Sequence, residues 1–170
     1  MIIDLIAMEN SPHRFAAAVA PAEIDLESEG VVLKNDPRIE AVVTRHIAQA
    51  DVKGEIAAEI ELECSRCLQP VERTLKFPFR ASFVAPEHYS EAKEVELRAD
   101  DLEIAVLGDN RVNVPELVRE QILLNLPVKV YCADDCKGLC PQCGANRNLI
   151  DCKCEEKEVD PRWAALKGLK

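Results

Sequence analysis

No stretch of this chain reaches the roughly 18 uninterrupted apolar residues from which a membrane-spanning helix is read. The apolar start, M-I-I-D-L-I-A-M-E-N, is short, is interrupted by Asp4 and has no basic flank. It does not read as a secretory signal, so a cytoplasmic protein with no membrane association is expected. A phosphate-cradling glycine loop, a serine nucleophile elbow, internal repeats and low-complexity tracts are also missing, which removes the commonest motif-borne enzyme chemistries. The three histidines, His13, His46 and His88, are scattered and lie outside any metal-ligand spacing. Positive charge is scarce. With 21 Lys and Arg against 31 Asp and Glu the formal net charge is -10. Most of such a surface repels nucleic acid. An RNA contact therefore has to be local, or be made through a basic partner protein.

Eight cysteines stand out against these absences. At 170 residues the chain is long enough to bury a core without cross-links. In the reducing compartment expected here, paired cysteines more often mean metal than disulfide. Cys132, Cys136, Cys140, Cys143, Cys152 and Cys154 crowd one segment, and Cys64 and Cys67 stand upstream as C-S-R-C. A C-x2-C turn offers two thiolates to one tetrahedral ion. In Cys140-Pro-Gln-Cys143-Gly, Pro141 fixes the turn and Gly144 supplies a residue able to take positive φ.

Eight thiolates fit two zinc sites, and an iron–sulfur cluster also uses four thiolates. The compact pairing joins Cys140, Cys143, Cys152 and Cys154, leaving Cys64, Cys67, Cys132 and Cys136 for a long-range site. It is preferred because closing short loops costs less entropy. The alternative matches Cys64 and Cys67 with Cys140 and Cys143. Either way every corner is a thiolate, whereas a catalytic zinc keeps one corner open for water, so no enzyme is expected.

The rest of the chain reads as antiparallel β-structure. Residues 2–7 form a short strand, residues 9–30 a loop with at most one more strand, and Val31–Lys34 a strand before Asn35-Asp36-Pro37. Ile39, Ala41, Val43 and Ile47 share one parity. Val52, Gly54, Ile56, Ala58, Ile60 and Leu62 alternate with polar residues, as do Val71, Leu75, Phe77, Phe79, Ala81 and Phe83. Cys64 and Cys67 thus sit at the turn between two long strands, and Pro78 marks an edge or a bulge.

Residues 85–101 look like an acidic loop with at most a short strand at Glu94–Leu97, and Glu103–Leu107 is a further strand candidate. Asn113, with Pro115 and Glu116, reads as the capped start of the one clear helix, near 114–126. Trp163 is expected to anchor the last turn by packing, and the acidic run 155–160 to be a solvated face. The expected class is α+β. A mainly antiparallel β domain over 1–127 precedes a cysteine-rich, zinc-binding tail over 128–170, packed on the hairpin that carries Cys64 and Cys67.

The runs E-L-E-C-S-R-C-L-Q-P-V, P-E-L-V-R-E-Q-I-L-L-N-L-P, C-A-D-D-C-K-G-L-C-P-Q-C-G-A-N-R-N, C-K-C and D-P-R-W-A-A-L-K together resemble the YceD-like bacterial family. Its members are described as large ribosomal RNA subunit accumulation proteins. The resemblance covers most of the chain from Glu61 onward, and Arg147 stands where the family usually has an aliphatic residue. It implies a cytosolic factor in large-subunit ribosomal RNA accumulation or processing, with metal-binding cysteines and no catalytic residues. Its partner would be ribosomal RNA or a ribosomal or assembly protein. A zinc- or redox-responsive binding module unrelated to ribosome assembly is the second reading.

Overall fold

A computed structural model describes residues 1–5, 8, 11–27, 30–47, 49–85, 104–107, 110–154 and 162. Among the described residues the strands are β1 (Ile2–Asp4), β2 (His13–Ala18), β3 (Val31–Leu33), β4 (Arg38–Arg45), β5 (Gln49–Glu63), β6 (Pro70–Val84), β7 (Ile104–Val106) and β8 (Arg111–Asn113); a short 3-10 turn spans Pro21–Glu23, and the one α-helix is α1 (Val114–Leu124). The class is α+β, as the patterning implies. The chain divides into two compact units, Met1–Leu62 with Val71–Val128, and Glu63–Pro70 with Lys129–Lys170.

The first unit is built on a six-stranded sheet in the order β2-β4-β5-β6-β7, with β3 also paired to β5. β4 takes Ala50–Ala57 of β5 and β3 takes Ile60–Leu62, all antiparallel. β7 runs parallel, alongside Ser82–Val84 of β6. Alternation drives this arrangement. Ile39 and Val43 on β4 and Val52, Ile56 and Ile60 on β5 have no exposed surface, and each such side chain stabilises by about 1.5–3 kcal/mol on burial. Pro78 is exposed and lies beyond the residues that β7 pairs, so its missing N–H interrupts no β7 hydrogen bond.

Three residues depart from the expected pattern. Ile47 is fully exposed because β4 ends at Arg45, and the tip closes with the His46 N–H donating to the Gln49 carbonyl at 2.7 Å. Ser82 is buried although it falls on the polar parity; its hydroxyl donates to Asp51 Oδ1 at 2.7 Å. Burial works against the Asp51 carboxylate, yet hydrogen bonds from Ser82 and Gln49, with Arg80 and His46 nearby, hold its pKa below the usual value. Leu124, an apolar residue at the last position of the helix, is 76% exposed.

The helix starts where expected, with Asn113 as N-cap and Pro115 in the first turn, but without the expected side-chain cap. The Val114 N–H, the first of the helix, donates to the Met1 carbonyl at 3.0 Å, beside the β1–β8 pairing. α1 buries Val114, Pro115, Leu117, Val118 and Ile122. Arg119 binds the Asp25 carbonyl through Nε and Glu27 Oε2 through Nη2. No helix among the described residues is long and apolar enough to cross a membrane. The expectations for 86–103, including the strand near Glu94–Leu97, and for His88, 155–160 and Trp163 lie outside the described residues.

Candidate metal centres

The second unit holds almost no regular structure among its described residues beyond a bridge between Leu139 and Asn146. Its order comes from turns that aim sulfur atoms at common points. β5 ends at Glu63 and the chain turns at once, with the Cys64 N–H donating to the Gln69 carbonyl at 2.8 Å and Leu68 N–H to the Cys64 carbonyl at 2.9 Å. Leu68 has φ 59 in this turn, a conformation that non-glycine residues adopt at a cost. The 129–136 segment joins it through Ser65 and Val130. The Ser65 N–H donates to the Val130 carbonyl at 2.8 Å, and the Val130 N–H returns to Ser65 Oγ at 3.1 Å.

This places Cys64, Cys67, Cys132 and Cys136 in one group, with all four sulfur atoms within 4.8 Å of one another. Cys64 and Cys136 Sγ are 3.8 Å apart, and Cys67 and Cys132 Sγ 3.6 Å. A tetrahedral ion with metal–sulfur bonds of about 2.3 Å requires sulfur–sulfur edges of about 3.8 Å. Three of the four are buried and Cys132 is exposed. Arg66 braces the loop: Nη1 donates to the carbonyls of Asp134 and Cys136, each at 3.1 Å, and the guanidinium lies 4.3 Å from the Tyr131 ring centroid.

The second group is Cys140, Cys143, Cys152 and Cys154, again within 4.8 Å of one another. The C-P-Q-C-G turn forms as its composition implies. Gly144 has φ 73, its N–H donates to the Cys140 carbonyl at 2.9 Å, and the Cys140 N–H donates to the Ala145 carbonyl at 2.8 Å. Here only Cys140 is buried, Cys152 is half-buried, and Cys143 and Cys154 are exposed. Of the two pairings open on sequence, the compact one is the grouping found. The matched union of Cys64 and Cys67 with Cys140 and Cys143 is not.

Within each group the thiols are shifted in opposite directions. Burial opposes ionisation of Cys64, but backbone N–H groups of Arg66, Cys67 and Cys132 outweigh it and bring the thiol from 9.0 to about 6. Cys140 is also lowered to about 6, by the backbone N–H groups of Cys143 and Gln142. Sulfur contacts with Cys136 and Cys67 push Cys132 up to about 12, and contacts chiefly with Cys143 push Cys154 up to about 12. Without a metal, then, each group keeps both thiolates and protonated thiols. A dication displaces the remaining protons.

Two asparagines escaped the sequence reading. Asn148 Nδ2 donates to Cys136 Sγ at 3.4 Å and to Asn146 Oδ1 at 2.8 Å, while its Oδ1 accepts the Lys137 N–H at 2.8 Å. The available signal was the N-x-N spacing directly after the second thiolate turn. Arg147 between them serves through its backbone, donating to the Gly138 carbonyl at 2.9 Å, so its departure from an aliphatic residue leaves this contact intact.

An uncharacterized protein of Mycobacterium tuberculosis is 31% identical over 151 residues, covering 86% of this chain and 68% of its own length. The uncharacterized protein YlbN of Bacillus subtilis is 30% identical over 129 residues, 71% of this chain and 70% of its own. A maize protein, the chloroplastic large ribosomal RNA subunit accumulation protein YCED homolog 1, is 25% identical over 177 residues, 91% of this chain and 60% of its own. No solved structure matches. Residues 52–170, which include all eight cysteines, match the family model described as large ribosomal RNA subunit accumulation protein YceD, and the chain belongs to that family.

Proposed function

We propose that this protein is a non-enzymatic, zinc-binding factor of the cytoplasm that acts in accumulation or processing of large-subunit ribosomal RNA during ribosome biogenesis. The observation that carries the reading is the pair of all-cysteine groups, inside the region that matches a family described by ribosomal RNA accumulation. The maize relative's name, which refers to the same process, supports it.

Zinc is favoured over an iron–sulfur cluster by spacing. A cluster spreads its four thiolates over several metal atoms, whereas sulfur edges of 3.6 and 3.8 Å match one ion of zinc's bond length. With four thiolates on each ion there is no open corner for water, so the metal serves to fold the second unit and present its surface. The net charge of -10 favours a partner engaged locally, either ribosomal RNA or a ribosomal or assembly protein.

Deleting the gene and measuring ribosomal RNA, together with sedimentation of the tagged protein at physiological salt, tests this. Reduced large-subunit RNA and co-sedimentation with large-subunit precursors are expected. Unchanged ribosomal RNA together with no precursor association would overturn the reading. The exposure of Cys132, Cys143 and Cys154 gives some support to the second reading, a zinc- or redox-responsive module. That reading predicts reversible zinc release by hydrogen peroxide coupled to a change in partner binding.

A further inference from the structure

The two thiolate groups are joined by more than chain continuity. The turn that carries Cys140 and Cys143 continues through Gly144 and Ala145 into Asn146, which bridges back to Leu139. Asn146 Oδ1 then accepts both the backbone N–H and the side-chain Nδ2–H of Asn148, at 3.0 and 2.8 Å. Held this way, Asn148 puts its amide on the other group: Nδ2 on Cys136 Sγ at 3.4 Å, and Oδ1 under the Lys137 N–H at 2.8 Å. The Arg147 N–H fastens the same turn to the Gly138 carbonyl at 2.9 Å. One asparagine thus takes its position from the second group and delivers a hydrogen bond to a ligand of the first.

We propose that Asn148 is a positioning residue that couples the two metal centres, so that filling the second centre strengthens metal binding at the first. This rests on the metal-binding reading of both groups. N–H donation to a ligating sulfur orients it and tunes its charge, and losing such a partner typically weakens metal binding by about 10- to 100-fold. When the second centre is empty the 140–146 turn loses its anchor, and with it the fixed placement of Asn148 against Cys136. Coupling of this kind is reciprocal, so metal in the first centre also tightens the second.

The test is a double-mutant cycle on the full chain loaded with cadmium(II), in which cadmium NMR gives each four-thiolate centre its own resonance. Chelator competition then reads each affinity. Cys152→Ser with Cys154→Ser empties the second centre, and Asn148→Ala removes the coupling residue. Emptying the second centre is expected to weaken the first by about tenfold when Asn148 is present, and by less than about twofold in the Asn148→Ala background. A residue that only stabilises the fold gives the same factor in both backgrounds, and that result would overturn the coupling. Asn148→Asp, which keeps the acceptor for Lys137 but loses the donor to sulfur, replaces Asn148→Ala in the cycle if the latter does not fold. A wild-type chain that binds no cadmium overturns the metal reading itself along with the coupling, whereas two tightly but independently held ions overturn the coupling alone.

Discussion

Gly138 has φ 71, and a Cβ built there lies 2.9 Å from the Arg66 carbonyl oxygen, the acceptor of the Leu139 N–H. Gly144 has nearly the same φ, 73, with nothing within 4 Å of its Cβ position. Both substitutions to alanine incur the left-handed penalty of about 1–2 kcal/mol. Gly138→Ala adds a collision next to Cys67 and is expected to weaken metal retention at the first centre. Gly144→Ala is expected to lower thermal stability without that selective loss. Thermal melts with metal analysis distinguish them.

The thiols set a pH dependence on the same residues. The metal-bound chain holds fewer protons than the metal-free chain, so acid favours release. Cys64 and Cys140 hold protons in the metal-free chain only below about 6, so zinc loss should steepen there. Zinc retained against a chromophoric chelator across pH checks this, and retention that does not fall below pH about 6 would be inconsistent with these pKa values. The eight cysteines were readable as ligand candidates because their C-x2-C, C-x3-C and C-x-C spacings are local. Asn148 was not, because the N-x-N spacing after the second turn does not say that the side chain reaches back to Cys136.

At the scale of elements, β5 is the spine. It pairs with β3, β4 and β6, and Ile56 at its middle has no exposed surface. Ile56→Ala removes three methyl or methylene groups from a packed position and should destabilise by about 2–5 kcal/mol, read by urea denaturation. A cost under about 1 kcal/mol would mean that this position is not close-packed. The inward faces of β4, β5 and β6 follow from alternation alone, since one-residue slips would expose Ile39, Val43, Val52 and Phe79 together. The failures fall where alternation stops carrying information. Ile47 keeps the right parity but lies past the last β4 pair, and Ser82 is drawn inward by Asp51. The helix start was readable from Asn113, Pro115 and Glu116, but the Asn113 side chain makes no cap hydrogen bond, and the first helical N–H, of Val114, finds the Met1 carbonyl. That partner stands just before β1, far away in sequence, and β1 is paired to β8.

At the scale of the whole molecule, the two units rest on different physics. The first has a row of fully buried aliphatic side chains, whereas the second buries mainly Val130 and four cysteines among its described residues. Removing metal should therefore unfold residues 129–154 and leave the β5 and β6 amides protected, which hydrogen exchange with and without chelator would reveal. Equal loss of protection in both units would contradict this division.

The central claim is that the eight cysteines exist to hold two ions, each in a closed all-thiolate site. Native mass spectrometry of the protein purified without added metal tests it most directly. The expected mass corresponds to two zinc ions per chain with every cysteine ligated. A metal-free chain that is folded throughout, with all eight thiols reduced and reactive, would contradict it.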